Sequence, residues 1–355
     1  MLPWLLLALV LGSLVYCVLT IVAAVRYRAV RPAPLRVAAP ISILKPLAGI
    51  DDGLEENLRT FFEQEYPEFE ILFAVRNPGD AAIAVVERLR ARYPGVPSRL
   101  IVTGEPPYPN AKVYSLDRML AAARHDLLVM ADSDIRVTPE MLTVVAAEFQ
   151  DAKLGMATCP YRAVPGRSFW NTLEAVGLNT EFIGGVLVAR MLDGMKFALG
   201  PTIAARRATL AGIGGFDAVK DFLAEDFVLG SLAAARGDGV ILSSYVIEHH
   251  IGAQPLAANL RHRLRWNRST RRSRPAGYEW WPAVAATVLL RAAAGWATAG
   301  YVLRDPLTPR LFFLVPLQDL LSFAMWLAGF FGNTILWRGR KYYLQADGRF
   351  VLKGS

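Results

Sequence analysis

The chain has 355 residues, with 39 Lys and Arg against 31 Asp and Glu, a formal net charge of +8, 54% hydrophobic residues and only 20% charged ones. That balance excludes a disordered chain, which needs high charge and few apolar side chains, and the length suits one large or two ordinary folded domains. Cys17 and Cys159 are the only cysteines, and one lies in an apolar N-terminal run, so a disulfide framework or a cysteine-based zinc site is excluded as well.

Residues 2–25 form an apolar run without a charge, long enough to cross a bilayer core as a helix. A cleaved secretory signal would be shorter and preceded by basic residues. Here Arg26, Arg28, Arg31 and Arg36 follow the run, which predicts an uncleaved anchor over residues 1–26 with its C-terminal end in the cytoplasm. A soluble middle then begins. Residues 41–47 read as a buried strand, and 54–64 as a helix with Leu54, Leu58, Phe61 and Phe62 at helical spacing. A strand is predicted at 69–75, a turn at Asn77, Pro78, Gly79 and Asp80, and a helix at 81–93. A strand at 99–103, a helix at 112–123 and a strand at 126–131 complete the alternation. Strands alternating with helices predict an α/β fold with a mostly parallel sheet and helices on both faces. Ligands in such sheets bind beyond the carboxyl ends of the strands.

Acidic residues stand at those ends. Asp132 and Asp134 flank Ser133 directly after the fourth strand, and alternate side chains of an extended segment point the same way. Two carboxylates with diphosphate oxygens suit Mg²⁺ or Mn²⁺, although Asp and Ser also serve as ordinary strand-to-turn residues. Asp80 ends the second strand, where a carboxylate accepts hydrogen bonds from a nucleobase or ribose, or simply forms a turn. Glu225 and Asp226 follow a glycine-rich stretch at 212–217. At a helix start they are either a cap or a base that removes a proton from an acceptor hydroxyl. The stretch 178–197 is amphipathic and faces either lipid or a core.

A basic series follows: Arg261, Arg263, Arg265, Arg268, Arg271, Arg272 and Arg274, with Trp266 beside Arg265. Guanidinium groups bind diphosphate well, and most of this cluster also suits anionic lipid at a cytoplasmic surface. Because the cluster abuts an apolar helix rather than forming a folded basic face, nucleic acid is not the expected partner. Residues 281–303 and 311–331 are two further apolar stretches, joined by a short link with Pro306 and Pro309 and followed by Arg338, Arg340 and Lys341. They predict a helical hairpin whose two flanks face the cytoplasm; Arg291 and Asp319, which are costly in lipid, equally suit core or interfacial helices.

The order of these features, from Asp80 through Asp132-x-Asp134 and Glu225-Asp226 to x-x-Arg265-Trp266, resembles the inverting, metal-dependent glycosyltransferases of families 2 and 21, whose fold is the GT-A nucleotide-sugar fold. More specific is the likeness to ceramide glucosyltransferases. It is carried by Ser42 with Lys45, Pro46 and Leu47; by Asn57, Leu58, Thr60, Phe61, Phe62, Tyr66 and Pro67; and by Asn110 with Lys112. The segments 132–137 and 224–227 and the tail residues Trp337, Arg338, Arg340, Tyr342 and Leu344 extend it over nearly the whole chain.

The resemblance implies a role for each matching position. Asp80 would contact the uracil or ribose of a UDP-sugar, and Asp132 and Asp134 would hold the metal ion and the diphosphate. Asp226 would be the general base, with Glu225 beside it, and Arg265 and Trp266 would close over the nucleotide. Lys112 would help bind the nucleotide, or stand as a solvated lysine at a helix start. The family has Gln or Arg three residues before Arg265; here His262 occupies that place, which leaves the job to His262, Arg261 or Arg263. The implied layout is a cytoplasmic GT-A domain at 38–275, a transmembrane hairpin at 280–335 and a cytoplasmic tail at 336–355.

The expected activity is inverting transfer of one sugar from UDP-glucose or UDP-N-acetylglucosamine to the hydroxyl of a membrane lipid, ceramide first. Bacterial relatives that glycosylate hopanoids make bacteriohopanetetrol a second candidate, and the Ala- and Arg-rich composition points to a bacterial inner membrane. A processive polysaccharide synthase shares the carboxylates and the Arg-Trp pair, but three membrane helices are too few to enclose a polymer. A noncatalytic lipid-binding protein that keeps the fold is the alternative from another class.

Overall fold

The computed structural model describes residues 2–31, 34–253, 255–273, 284–337 and 339–352. They divide into two compact units. The larger comprises residues 32–160, 195–252 and 333–355, and the smaller 1–31, 161–194 and 253–332. Both units are discontinuous in sequence.

The larger unit opens with the predicted alternation: β1 (Ile41–Pro46), α1 (Leu54–Phe62), β2 (Phe69–Val75), α2 (Ala82–Arg92), β3 (Ser98–Val102), α3 (Ala111–Ala122) and β4 (Leu127–Ala131). It continues with β5 (Ile135–Arg136), α4 (Met141–Glu148), β6 (Leu154–Thr158), β7 (Thr202–Arg206), α5 (Arg207–Gly212), α6 (Glu225–Arg236), β8 (Gly239–Leu242) and β9 (Ile247–Ile251). Seven strands make one sheet in the order β3-β2-β1-β4-β7-β6-β8. All neighbours are parallel except β7, which runs antiparallel to both β4 and β6. β1, β2 and β4 are buried along nearly their whole length, as strands covered on both faces must be. Leu44, Leu72 and Leu128 of these strands pack with Val113, Leu116 and Met119 of α3 and with Leu229 and Ala233 of α6. Each fully buried aliphatic side chain of this kind is worth roughly 1.5–3 kcal/mol. The last segment returns to this unit as a meander of β10 (Thr334–Trp337), β11 (Arg340–Leu344) and β12 (Phe350–Leu352).

The smaller unit is helical. Among the described residues, three of its helical stretches are long and apolar enough to cross a membrane: Leu11–Arg28, Phe169–Asp193 and Arg310–Gly329. The first and third coincide with expected spans. The second was read from sequence only as an amphipathic stretch. In sequence it lies between two segments of the larger unit, which end at Pro160 and resume at Met195. The other expected span, 281–303, begins on residues outside those described; its described part is the helix Val284–Gly295 continued by a π-helical turn, Trp296–Val302. Arg274 and Arg338 also lie outside the described residues. Arg291 and Asp319, costly in lipid when alone, pair through two contacts of 2.9 and 3.2 Å, and Arg291 also donates to Thr180 Oγ1 at 3.1 Å. Small residues let these helices approach: a Cβ on Gly184 would lie 3.2 Å from Thr20 Cγ2, and one on Gly295 3.2 Å from Thr180 Cγ2.

Candidate active site

A cleft opens at the carboxyl ends of β1 and β4, lined among others by Pro46, Lys112, Asp132, Gly200, Glu225 and Asp226. Each element delivers its residue for a local reason. β4 is a run of five buried apolar residues and ends where Asp132 begins. α3 starts at Asn110, whose Oδ1 accepts from Val113 N at 3.1 Å, a side-chain cap that puts Lys112 in the first turn. α6 starts with Glu225 and Asp226 in its own first turn, where the helix dipole favours negative charge.

Lys112 is the hub. Its Nζ lies 2.8 Å from Asp132 Oδ1 and 3.1 Å from Glu225 Oε1, and donates to Gly200 O at 3.4 Å. Burial works against its charge, but Asp132 and Glu225 outweigh burial and hold its pKa above the ordinary lysine value. Asp132 is raised by burial and by Asp134, with Lys112 opposing. Asp226 is pushed up to about 7, first by burial and then by the Glu225 charge, with Lys112 again opposing. A carboxyl group poised near neutrality suits a general base. Its Oδ2 stands so close to Gly200 that a Cβ there would approach to 2.9 Å.

Asp134 has different protein partners from Asp132. Its Oδ2 is 3.2 Å from His249 Nε2 on β9, and its backbone O accepts from His250 N at 2.8 Å. Burial would raise the pKa of Asp134, but His249 and Lys45 outweigh that and lower it to about 2. Its Oδ1 is buried with no hydrogen-bond partner among the described residues. An ionised, buried carboxylate oxygen without a donor fits a hard cation. No group of three or more His, Cys, Asp or Glu among the described residues is arranged to hold an ion. A bound ion would therefore take most of its ligands from diphosphate and water, as Mg²⁺ commonly does.

Asp80 is at the carboxyl end of β2, as expected, but its carboxylate is engaged by protein. Gly49 N donates to its two oxygens at 3.0 and 3.1 Å, and Ala82 N donates at 2.9 Å. It thereby fastens the loop after β1 to the start of α2. His262, Arg265 and Trp266 belong to the smaller unit, on the helix Leu256–Ser273. There His262 Nδ1 is 2.9 Å from the buried Glu174 Oε1, and its ring centroid is 5.2 Å from that of Trp266. The structure thus brings together Lys112, Asp132, Glu225 and Asp226, with Asp134 in the turn before β5. It gives Asp80 a local fastening role and places the Arg-Trp pair in the other unit.

Two residues of the site had no role in the sequence reading. Lys45, fully buried inside β1, donates to the backbone oxygen of Asp132 and lies 3.8 Å from the Phe61 ring centroid. Burial lowers its pKa to about 7 against the pull of Asp132 and Asp134. A lysine within a buried, largely apolar strand was the signal available. His249 was the other, and two adjacent histidines in a short strand near the end of the α/β region were its only trace.

Known proteins share the family and the fold. The model of glycosyl transferase family 21 matches residues 5–282 and 279–350. Ceramide glucosyltransferase 1 of Caenorhabditis elegans is 28% identical over 207 residues, covering 58% of this chain and 44% of the relative. A ceramide glucosyltransferase of Komagataella phaffii is 33% identical over 141 residues, covering 38% of this chain and 28% of the relative. The chain thus spans less than half the length of these relatives. The mannosyltransferase PcManGT of Pyrobaculum calidifontis, solved with GDP-Man and Mn²⁺, superposes with a TM-score of 0.59 at 19% identity over 93% of this chain and 97% of its own. The shared fold is the expected GT-A class.

Proposed function

The chain belongs to glycosyl transferase family 21, and from that premise we propose that it transfers one sugar from a UDP-sugar to a hydroxyl of a membrane lipid, with ceramide as acceptor and UDP-glucose as donor. The observation that carries this reading is Asp226, a carboxyl group held near neutrality in a cleft that it shares with Lys112. The ceramide glucosyltransferase names of the relatives support the choice of acceptor.

In the proposed reaction the acceptor hydroxyl gives its proton to the Asp226 carboxylate as its oxygen attacks the anomeric carbon. The bond from that carbon to the diphosphate breaks on the opposite face, and UDP leaves. One displacement inverts the configuration, so an α-linked donor yields a β-linked glycolipid without a covalent sugar–enzyme intermediate. Lys112 places positive charge where the departing diphosphate gathers negative charge. Asp134 and Asp132 would hold a divalent ion, Mg²⁺ or Mn²⁺, which supplies further charge neutralisation to the leaving group. Asp80 keeps the loop after β1 in place. The arginines after the first membrane helix support a cytoplasmic larger unit, reached by the donor from water.

The test is turnover by the full chain in lipid nanodiscs with UDP-glucose or UDP-N-acetylglucosamine, against ceramide and bacteriohopanetetrol separately, read by mass spectrometry. Ceramide carrying a single hexose is the expected product. No product on ceramide from folded protein overturns the acceptor assignment, and a polymer overturns single transfer.

A further inference from the structure

The C-terminal meander is not a loose tail: it is folded into the unit that carries Asp226. Its inner face brings Ile335, Tyr342, Leu344 and Phe350 into one buried cluster with Leu223. Phe350 N donates to Asp221 O at 3.2 Å, and Phe222 forms an isolated antiparallel bridge with Arg349, whose guanidinium lies 5.7 Å from the Phe222 ring centroid. The segment just ahead of Glu225 and Asp226 is thus gripped by residues that follow the last membrane helix. Asn110 grips it from the other side. Its Nδ2 donates to Phe222 O at 2.9 Å and reaches Glu225 Oε2 at 3.5 Å, while its Oδ1 caps the helix that carries Lys112.

We propose that this meander is a positioning element for the base, in which Phe350 and its backbone bond to Asp221 hold the start of α6 so that Asp226 and Glu225 keep their places beside Lys112. Asp226 sits in the first turn of a helix, where backbone groups lack intrahelical partners and fraying begins. α6 has no side-chain cap of its own, so the order of its first turn comes from the packed segment before it. A displacement of about 1 Å at a reacting group costs on the order of a hundredfold in rate. This inference takes its catalytic consequence from the reading of Asp226 as the base, whereas its structural content stands apart from that reading.

The experiment uses the full chain in nanodiscs and compares wild type with Phe350→Ala, Phe350→Leu and Arg349→Ala. Hydrogen exchange is followed in peptides covering residues 217–229, with 69–75 as the internal reference. Phe350→Ala is expected to speed exchange in 217–229 by about tenfold or more while 69–75 stays as in wild type. Turnover is expected to fall about ten- to a hundredfold with donor KM within about twofold, and Phe350→Leu to restore most of it. Unchanged exchange in 217–229, or an equal rise in 69–75, overturns the proposal. If wild type turns over no lipid, the proposed activity fails, and the exchange measurement still decides the role of the meander.

Discussion

Lys112 and Asp132 form a 2.8 Å ion pair that ties the first turn of α3 to the carboxyl end of β4. The same ammonium reaches Glu225 at 3.1 Å, so one cation serves acidic groups that lie far apart in sequence. Lys112→Met would leave these carboxylates without that cation. We expect kcat/KM to fall roughly 10²–10³-fold, the scale seen when a preorganised charge-stabilising group is removed. Because Lys112 holds the Asp226 pKa down, the acid limb of the pH profile should also move to higher pH. Initial rates from pH 5 to 9 on both proteins check this.

Asp226 should govern that limb in the wild-type protein. Its active form is the carboxylate, and its pKa lies at about 7, so kcat/KM is expected to rise about tenfold per pH unit up to neutrality and then level off. Stability moves the other way. The folded pKa exceeds the unfolded value of 3.8, so the folded state binds the proton more tightly and loses stability as pH rises from about 4 to about 7. Asp226→Asn should lower turnover about 10²–10⁴-fold. It should also raise Tm relative to wild type at pH 8 and leave it unchanged at pH 4. An equal Tm difference at both pH values would contradict the assignment.

Gly200 offers a steric test that leaves every charge in place. An added Cβ would stand 2.9 Å from Asp226 Oδ2, inside ordinary contact distance, so either the carboxylate or the backbone must move. Gly200→Ala is expected to lower kcat about ten- to a hundredfold, with a stability loss of about 1–3 kcal/mol at most. Urea unfolding alongside steady-state kinetics separates the two effects.

Asp134 Oδ1, buried with no hydrogen-bond partner among the described residues, makes a metal-binding prediction independent of turnover. With UDP present, Mn²⁺ should raise Tm, by about 2.7 kcal/mol of stabilisation at a hundredfold excess over Kd, and EDTA should reverse it. Asp134→Asn should abolish the shift while keeping the fold. A full shift in that variant would place the ion elsewhere.

In the helical unit, Arg291 and Asp319 are held together by two contacts. Asp319→Leu should destabilise the protein by about 3–5 kcal/mol, because it removes the carboxylate paired with Arg291, whereas replacing both residues by leucine should cost much less. Thermal unfolding in nanodiscs of the two single variants and the double variant checks the coupling.

The local alternation from β1 to β4 was legible within a residue or two, because strand and helix periods are properties of adjacent residues. Apolar length likewise marked the helices ending at Arg28 and Gly329. Amino-acid order alone therefore determined a mostly parallel α/β sheet, membrane-compatible helices and acidic residues at strand ends. The remaining features depended on non-local contacts. The antiparallel insertion of β7 between β4 and β6, the salt link from Lys112 to both Asp132 and Glu225, the approach of His249 to Asp134 and the grip of Phe350 on Asp221 each join segments remote in sequence. Which remote partner a buried charge or an edge strand finds depends on packing in three dimensions. Only the tertiary structure could decide it.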